Sequence, residues 1–229
     1  MKAERTLSNY IMVKMDPPND SITTKHGDKL YIDNTFEPDK HTVVLGTVVA
    51  VPQHLNTKNM PWVTDMEIKL GDRVLMYYLA VQNCLRKEIK RYAKENQDTY
   101  IFISYANVYA TIRDGKVIPV NGYLLVEPIK NPETEFRKAQ FKGIGLDLIT
   151  FDTKSNKDVV YGKIVYLGSP NKAYSQKYLS DTHTDLKKDD LVVMKRVRDI
   201  PVEYEYHAKI DNGRKLYRVQ RHDILAILT

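Results

Sequence analysis

Cysteine is almost missing from this 229-residue chain, which has Cys84 alone. One thiol cannot close an internal disulfide, and such scarcity fits a reducing compartment. Long apolar runs are missing too: none approaches the ~20 residues that a membrane-spanning helix needs. The first residues, "MKAERTLSNYIMVKMD", hold no apolar secretory segment. These absences lead to the expectation of a cytoplasmic, soluble protein. Charge of one sign is lacking as well. Residues 1–113 carry 15 basic and 13 acidic side chains and residues 114–229 carry 20 and 16, so the net +6 is spread thinly. The sixteen tyrosines suit half-buried strands as readily as base stacking. Nucleic-acid binding is not expected as the main function.

Signs of chemistry are equally scarce. His26, His41, His54, His183, His207 and His222 show no metal-ligand spacing, and "DTHTD" around His183 reads as an exposed polar loop. The "GIG" before Leu146 and Asp147 lacks the strand–helix unit that a dinucleotide fingerprint requires. No catalytic residue, metal or cofactor is expected, and the chain is not read as an enzyme.

What the sequence does contain is a repeat. "NYIMVKMDPP" from Asn9 answers to "NGYLLVEPIKNP" from Asn121, and "VVLGTVVAVP" from Val43 to "VVYGKIVYLGSP" from Val159. "IKLGDRVLMYY" from Ile68 answers to "LKKDDLVVMKR" from Leu186, and "FISYANVYATI" from Phe102 to "RVQRHDILAIL" from Arg218. The offsets are 113 (Tyr10, Tyr123), 116 (Gly46, Gly162), 118 (Gly71, Asp189) and 116 (Ala110, Ala226). Small drifts are what loop insertions between retained strands produce. The joint falls in "RDGKVIPVNG", giving two modules, residues 1–116 and 117–229.

Each module reads as short β-branched strands separated by turns, which in about 110 residues suggests a small barrel or sandwich. Gly46 interrupts one such strand and suits a bulge or bend. "VEYEYHAKIDNGRKLYRV" reads as a hairpin. "LRKEIKRYAKENQ" places Leu85, Ile89 and Tyr92 at helical spacing, as a solvated helix covering the barrel. "PQHLNTKNMPWVTDME" and "SPNKAYSQKYLSDTHTD" read as exposed hairpins or loops. A long polar loop follows the first strand of each module, and loops of that length are usually functional or disordered.

The order of these parts resembles the GroES-like co-chaperonins (chaperonin-10 family), in a tandem double-module form. "HDILAIL" from His222 is similar to the family's last strand, and "IKLGDRVLMY" and "GKIVYLG" fit its pattern. The resemblance implies an all-β chain of two tandem GroES-like small β-barrels with long exposed loops. It implies a non-enzymatic cap on a chaperonin ring, assisting ATP-dependent protein folding as a homo-oligomer or assembly subunit. In that family the mobile loop offers an Ile-Val-Leu-like triplet to the chaperonin. In "TKHGDKLYI" the matching positions are Leu30, Tyr31 and Ile32, with Tyr31 where the family has a small aliphatic residue. In the second module the triplet is either Ile144-Gly145-Leu146 or Leu146-Asp147-Leu148. A chloroplast-like or a viral origin fits equally. The alternative reading is a structural component of a virion or other large assembly built from the same barrels.

Overall fold

The computed structural model describes residues 3–17, 21–31, 42–129, 159–174, 185–195, 204–206 and 215–228. The chain divides into two compact units: Met1–Asn121 with Asn171–Leu179, and Gly122–Pro170 with Ser180–Thr229.

The first unit contains β1 (Tyr10–Met15), β2 (Ser21–Thr23), β3 (Lys29–Tyr31), β4 (Leu45–Ala50), β5 (Trp62–Val63) and β6 (Arg73–Met76). Then come a two-turn helix, α1 (Tyr78–Leu85), and β7 (Tyr92–Glu95), β8 (Asp98–Ser104), β9 (Val108–Arg113) and β10 (Lys116–Pro119). Seven of the strands form one antiparallel sheet in the order β10-β9-β6-β4-β1-β8-β7. Ile11, Met12 and Val13 of β1 are buried at its centre, with Leu45, Val48, Val74, Leu75, Ile101 and Ile103 from the flanking strands. Each such aliphatic side chain contributes about 1.5–3 kcal/mol when fully removed from water. This β-branched interior is why these short runs settle as strands.

The second unit contains β11 (Tyr123–Ile129), β12 (Val159–Leu167), β14 (Leu191–Lys195), β15 (Tyr204–Tyr206), β16 (Lys215–Gln220) and β17 (Ile224–Leu228). Its antiparallel sheet runs β15-β16-β11-β12-β14-β17 around a core of Leu124, Val126, Ile164, Val192, Met194, Tyr217, Val219 and Ile224. The remaining strand, β13 (Ala173–Tyr174), pairs with β5 and belongs to the first unit.

Strand for strand, the two large sheets have the same order, the first carrying β10 as an extra edge. The irregularities repeat as well. The β1–β4 register shifts between Met12 and Val13, and the β11–β12 register between Leu125 and Val126, 113 residues later. The shift between Leu75 and Met76 against β9 recurs between Val193 and Met194 against β17. Asp72 accepts from the Lys69 N–H at 2.8 Å, and Asp190 accepts from the Lys187 N–H at 2.7 Å. Gly71 and Asp189 both have positive φ in that turn. Bulges and turn geometry that recur at the repeat spacing make this a duplicated fold. It is all-β, and both sheets are open at their edges among the described residues.

Some local expectations are corrected. The helix covers Tyr78–Leu85 rather than the run starting at Leu85, because Val81 and Cys84 point into the core. Lys90 turns the chain with φ 49°, and Tyr92–Glu95 is then drawn into β7 by pairing with β8. Gly46 is neither bulge nor bend: a Cβ there would lie 2.5 Å from Val13 Cγ1 and 2.6 Å from the Lys14 carbonyl oxygen. It is glycine because β1 and β4 approach too closely for any side chain. The "PQHLNTKNMPWVTDME" stretch is not wholly exposed, since Met60 and Trp62 are buried.

Candidate functional site

The loop after β1 folds back on itself as a hairpin. Residues Thr24 to Asp28 make the turn: the Thr24 N–H donates to the Asp28 carbonyl at 2.8 Å, and the Gly27 N–H to the Thr24 carbonyl at 3.0 Å. The Thr24 hydroxyl oxygen accepts from the His26 and Asp28 N–H groups at 3.3 and 3.2 Å. Gly27 takes φ 90°, which suits glycine, so "TKHGD" is a turn by its own chemistry. The turn sets β2 against β3 in register, Ser21 opposite Tyr31, Ile22 opposite Leu30 and Thr23 opposite Lys29.

This ribbon is a two-stranded sheet of its own. Leu30 is 58 % exposed and Tyr31 81 % exposed, and adjacent residues of a strand face opposite sides. Two large apolar side chains are thus offered to solvent on an element that is marginal by itself in water. Residues 25–28 at its tip are exposed, and Lys25, His26 and Asp28 among them are polar. The geometry brings two of the sequence-derived docking residues together. Ile32 lies outside the described residues, as do Ile144, Leu146 and Leu148 of the second module.

The buried polar groups of the first unit are spent on holding its backbone. Asn121, in a positive-φ turn, donates from its carboxamide to the Tyr105 and Val108 carbonyls, both at 2.8 Å. Its side-chain oxygen accepts from the Trp62 indole N–H at 3.4 Å, and its backbone oxygen from the Asn171 side chain at 2.9 Å. The Glu67 carboxylate accepts from the Asn121 N–H at 2.7 Å. Burial pushes Glu67 above the usual carboxylate range, against the pull of Asn121 and Tyr105. Burial, then the charge of Glu67, pushes the Tyr105 phenol far above its ordinary value. The Cys84 thiol donates to the Phe102 carbonyl at 3.3 Å and is raised by burial, which favours the unreactive protonated form. Among the described residues no group of three or more His, Cys, Asp or Glu side chains is placed to hold a metal ion. None of their helices is long and apolar enough to cross a membrane.

Neither a family model nor a curated protein matches the chain. What remains as a candidate site is the hairpin, with Leu30 exposed on one side of β3 and Tyr31 on the other. Sequence reading did not single out Leu7, Leu225 or Ile227, which are exposed as well. The repeat alignment held the signal, because it places Leu7 and Leu225 opposite first-unit residues that are buried.

Proposed function

We propose that the chain is a tandem co-chaperonin, a two-module cap that docks on a chaperonin ring through apolar loop segments and catalyses nothing itself. In this reading each sheet belongs to a small GroES-like barrel, and Leu30, Tyr31 and Ile32 enter a groove on the ring. The observation that carries it is the exposed hairpin after β1, which holds Leu30 and Tyr31 in solvent where the resemblance puts the docking triplet. The duplicated strand order supports it, since a cap of this kind gathers repeated modules so that several weak loops act together. Two or three apolar side chains offer about 1.5–3 kcal/mol each, while ordering a loop costs several. One loop therefore binds weakly, and several on one ring gain through effective concentration. The reading places the protein in the cytoplasm, or in an infected host's cytoplasm or the virion if its origin is viral.

The test is co-elution of purified protein with its host's chaperonin, with and without ATP. Nucleotide-dependent binding lost in Leu30→Asp and in Ile32→Asp is the expected result. Binding that both variants leave unchanged would remove the loop assignment. A protein that ignores the chaperonin and co-purifies with a large particle would instead make it a structural component.

A further inference from the structure

The segment between β6 and β7 is longer than its counterpart in the second module. Residues 77–91, fifteen in all, join those strands, whereas residues 196–203, eight in all, stand between β14 and β15. The first module therefore carries an insertion, and α1 is its first half. Val81 and Cys84 seat the helix on the core, and the Cys84 thiol donates to the Phe102 carbonyl of β8 at 3.3 Å. Beyond Leu85 the chain turns. The Ile89 and Lys90 N–H groups both donate to the Arg86 carbonyl, at 3.1 and 3.0 Å, and Lys90 reverses the path with φ 49°. The far side is held as well. The Phe102 N–H donates to the Arg91 carbonyl at 2.9 Å, and the Arg91 guanidinium lies 5.2 Å from the centre of the Tyr10 ring.

This braced turn carries "LRKEIKR", residues 85–91, every one of them exposed. Four cations and one anion give it a net +3 in seven residues, half of the +6 of the whole chain. One or two cations would answer the negative end of α1, and four exceed that need. Among the described residues Arg86, Lys87 and Lys90 have no ion-pair partner. Leu85 and Ile89 stand among them, 40 % and 42 % exposed. A protruding turn offers no groove to another chain. Aliphatic side chains interleaved with cations suit a flat, fluid, anionic surface, where cations meet phosphates and aliphatics pass between headgroups to the acyl boundary. A nucleic acid would satisfy the cations but leave Leu85 and Ile89 in water, and residues 85–91 hold no aromatic ring on which its bases could stack.

We propose that residues 85–91 are a peripheral membrane contact that selects anionic bilayers. The turn is already folded, so little ordering entropy opposes the contact. A single turn with two aliphatic side chains is a weak anchor, so attachment is reversible and falls as salt screens the cations. The contact uses no residue of the β2–β3 hairpin and does not rest on the co-chaperonin reading.

Co-sedimentation of the full-length protein with lipid vesicles tests it. Binding to phosphatidylcholine vesicles carrying about 30 mol % phosphatidylserine, with none to phosphatidylcholine alone, is the expected result. Added salt should release the wild-type protein, which reads the electrostatic part without any substitution. Two double variants separate the contributions. Lys87→Glu with Lys90→Glu should weaken binding about tenfold or more. Leu85→Ser with Ile89→Ser should weaken it about threefold or more at unchanged charge. All four side chains are exposed, so melting temperatures and chaperonin co-elution should stay at wild-type values. Wild-type protein that stays in the supernatant with anionic vesicles at low salt would overturn the proposal. So would equal binding to neutral and anionic vesicles, or binding that both double variants leave intact. Anionic binding that a single-stranded oligonucleotide competes away, and that Leu85→Ser with Ile89→Ser does not weaken, would assign the turn to nucleic acid instead.

Discussion

Gly46 and Gly162 mark the tightest points of the duplicated fold. At both, an added Cβ would strike the first strand of its own module, at Val13 and Lys14 in one and at Val126 and Glu127 in the other. Neither obstacle is the far end of a flexible chain. Gly46→Ala and Gly162→Ala should each cost about 2 kcal/mol or more in urea denaturation, the scale of an overpacked core. Asp72 makes a second residue-level prediction. Burial pushes its carboxyl up, but Arg113 Nε at 2.9 Å and the Lys69 N–H outweigh this and hold it below the usual carboxylate range. A carboxyl depressed by folding adds stability above its unfolded pKa and loses it as pH falls through the folded one. Stability should therefore decline below about pH 4. Asp72→Asn should flatten that decline while costing about 1.5–3 kcal/mol at neutral pH, read by thermal melts across pH. Asp190, its repeat counterpart, keeps the turn bond to Lys187; Arg113 has Thr229 as its counterpart by the 116-residue offset.

Among elements, the β2–β3 hairpin is where the proposed docking can be tested apart from folding. Leu30 and Tyr31 are exposed, so Leu30→Asp and Tyr31→Asp should move stability by no more than about 0.5 kcal/mol. The same variants should abolish chaperonin co-elution; a large drop in melting temperature instead would make the hairpin a support of its own unit. The strands that carry the repeat were legible because each holds its own β-branched pattern and turn residue. β10 was not. "KVIP" is four residues ending in proline and reads as a joint, and it becomes a strand only because β9 lies beside it. β13 was hidden for the same reason, pairing with β5 across more than a hundred residues. The helix is hard to see in the sequence because "YLAVQNCL" buries only Val81 and Cys84, while the more obviously periodic run after it ends in β7. Local periodicity reports which face a segment buries, but not which distant edge it completes.

For the whole molecule, duplication places two similar sheets in one chain, which suits the multivalent cap proposed above. On the co-chaperonin reading, weak docking by several loops sums to firm capping that ATP-driven movement of the ring can release. The most direct measurement is size-exclusion with mass determination on the protein mixed with its host's chaperonin, with and without ATP, wild type beside Leu30→Asp. A complex that forms only with nucleotide, and only with the wild-type hairpin, is the expected result. A folded wild-type protein that elutes apart from the ring under both conditions would contradict the co-chaperonin reading.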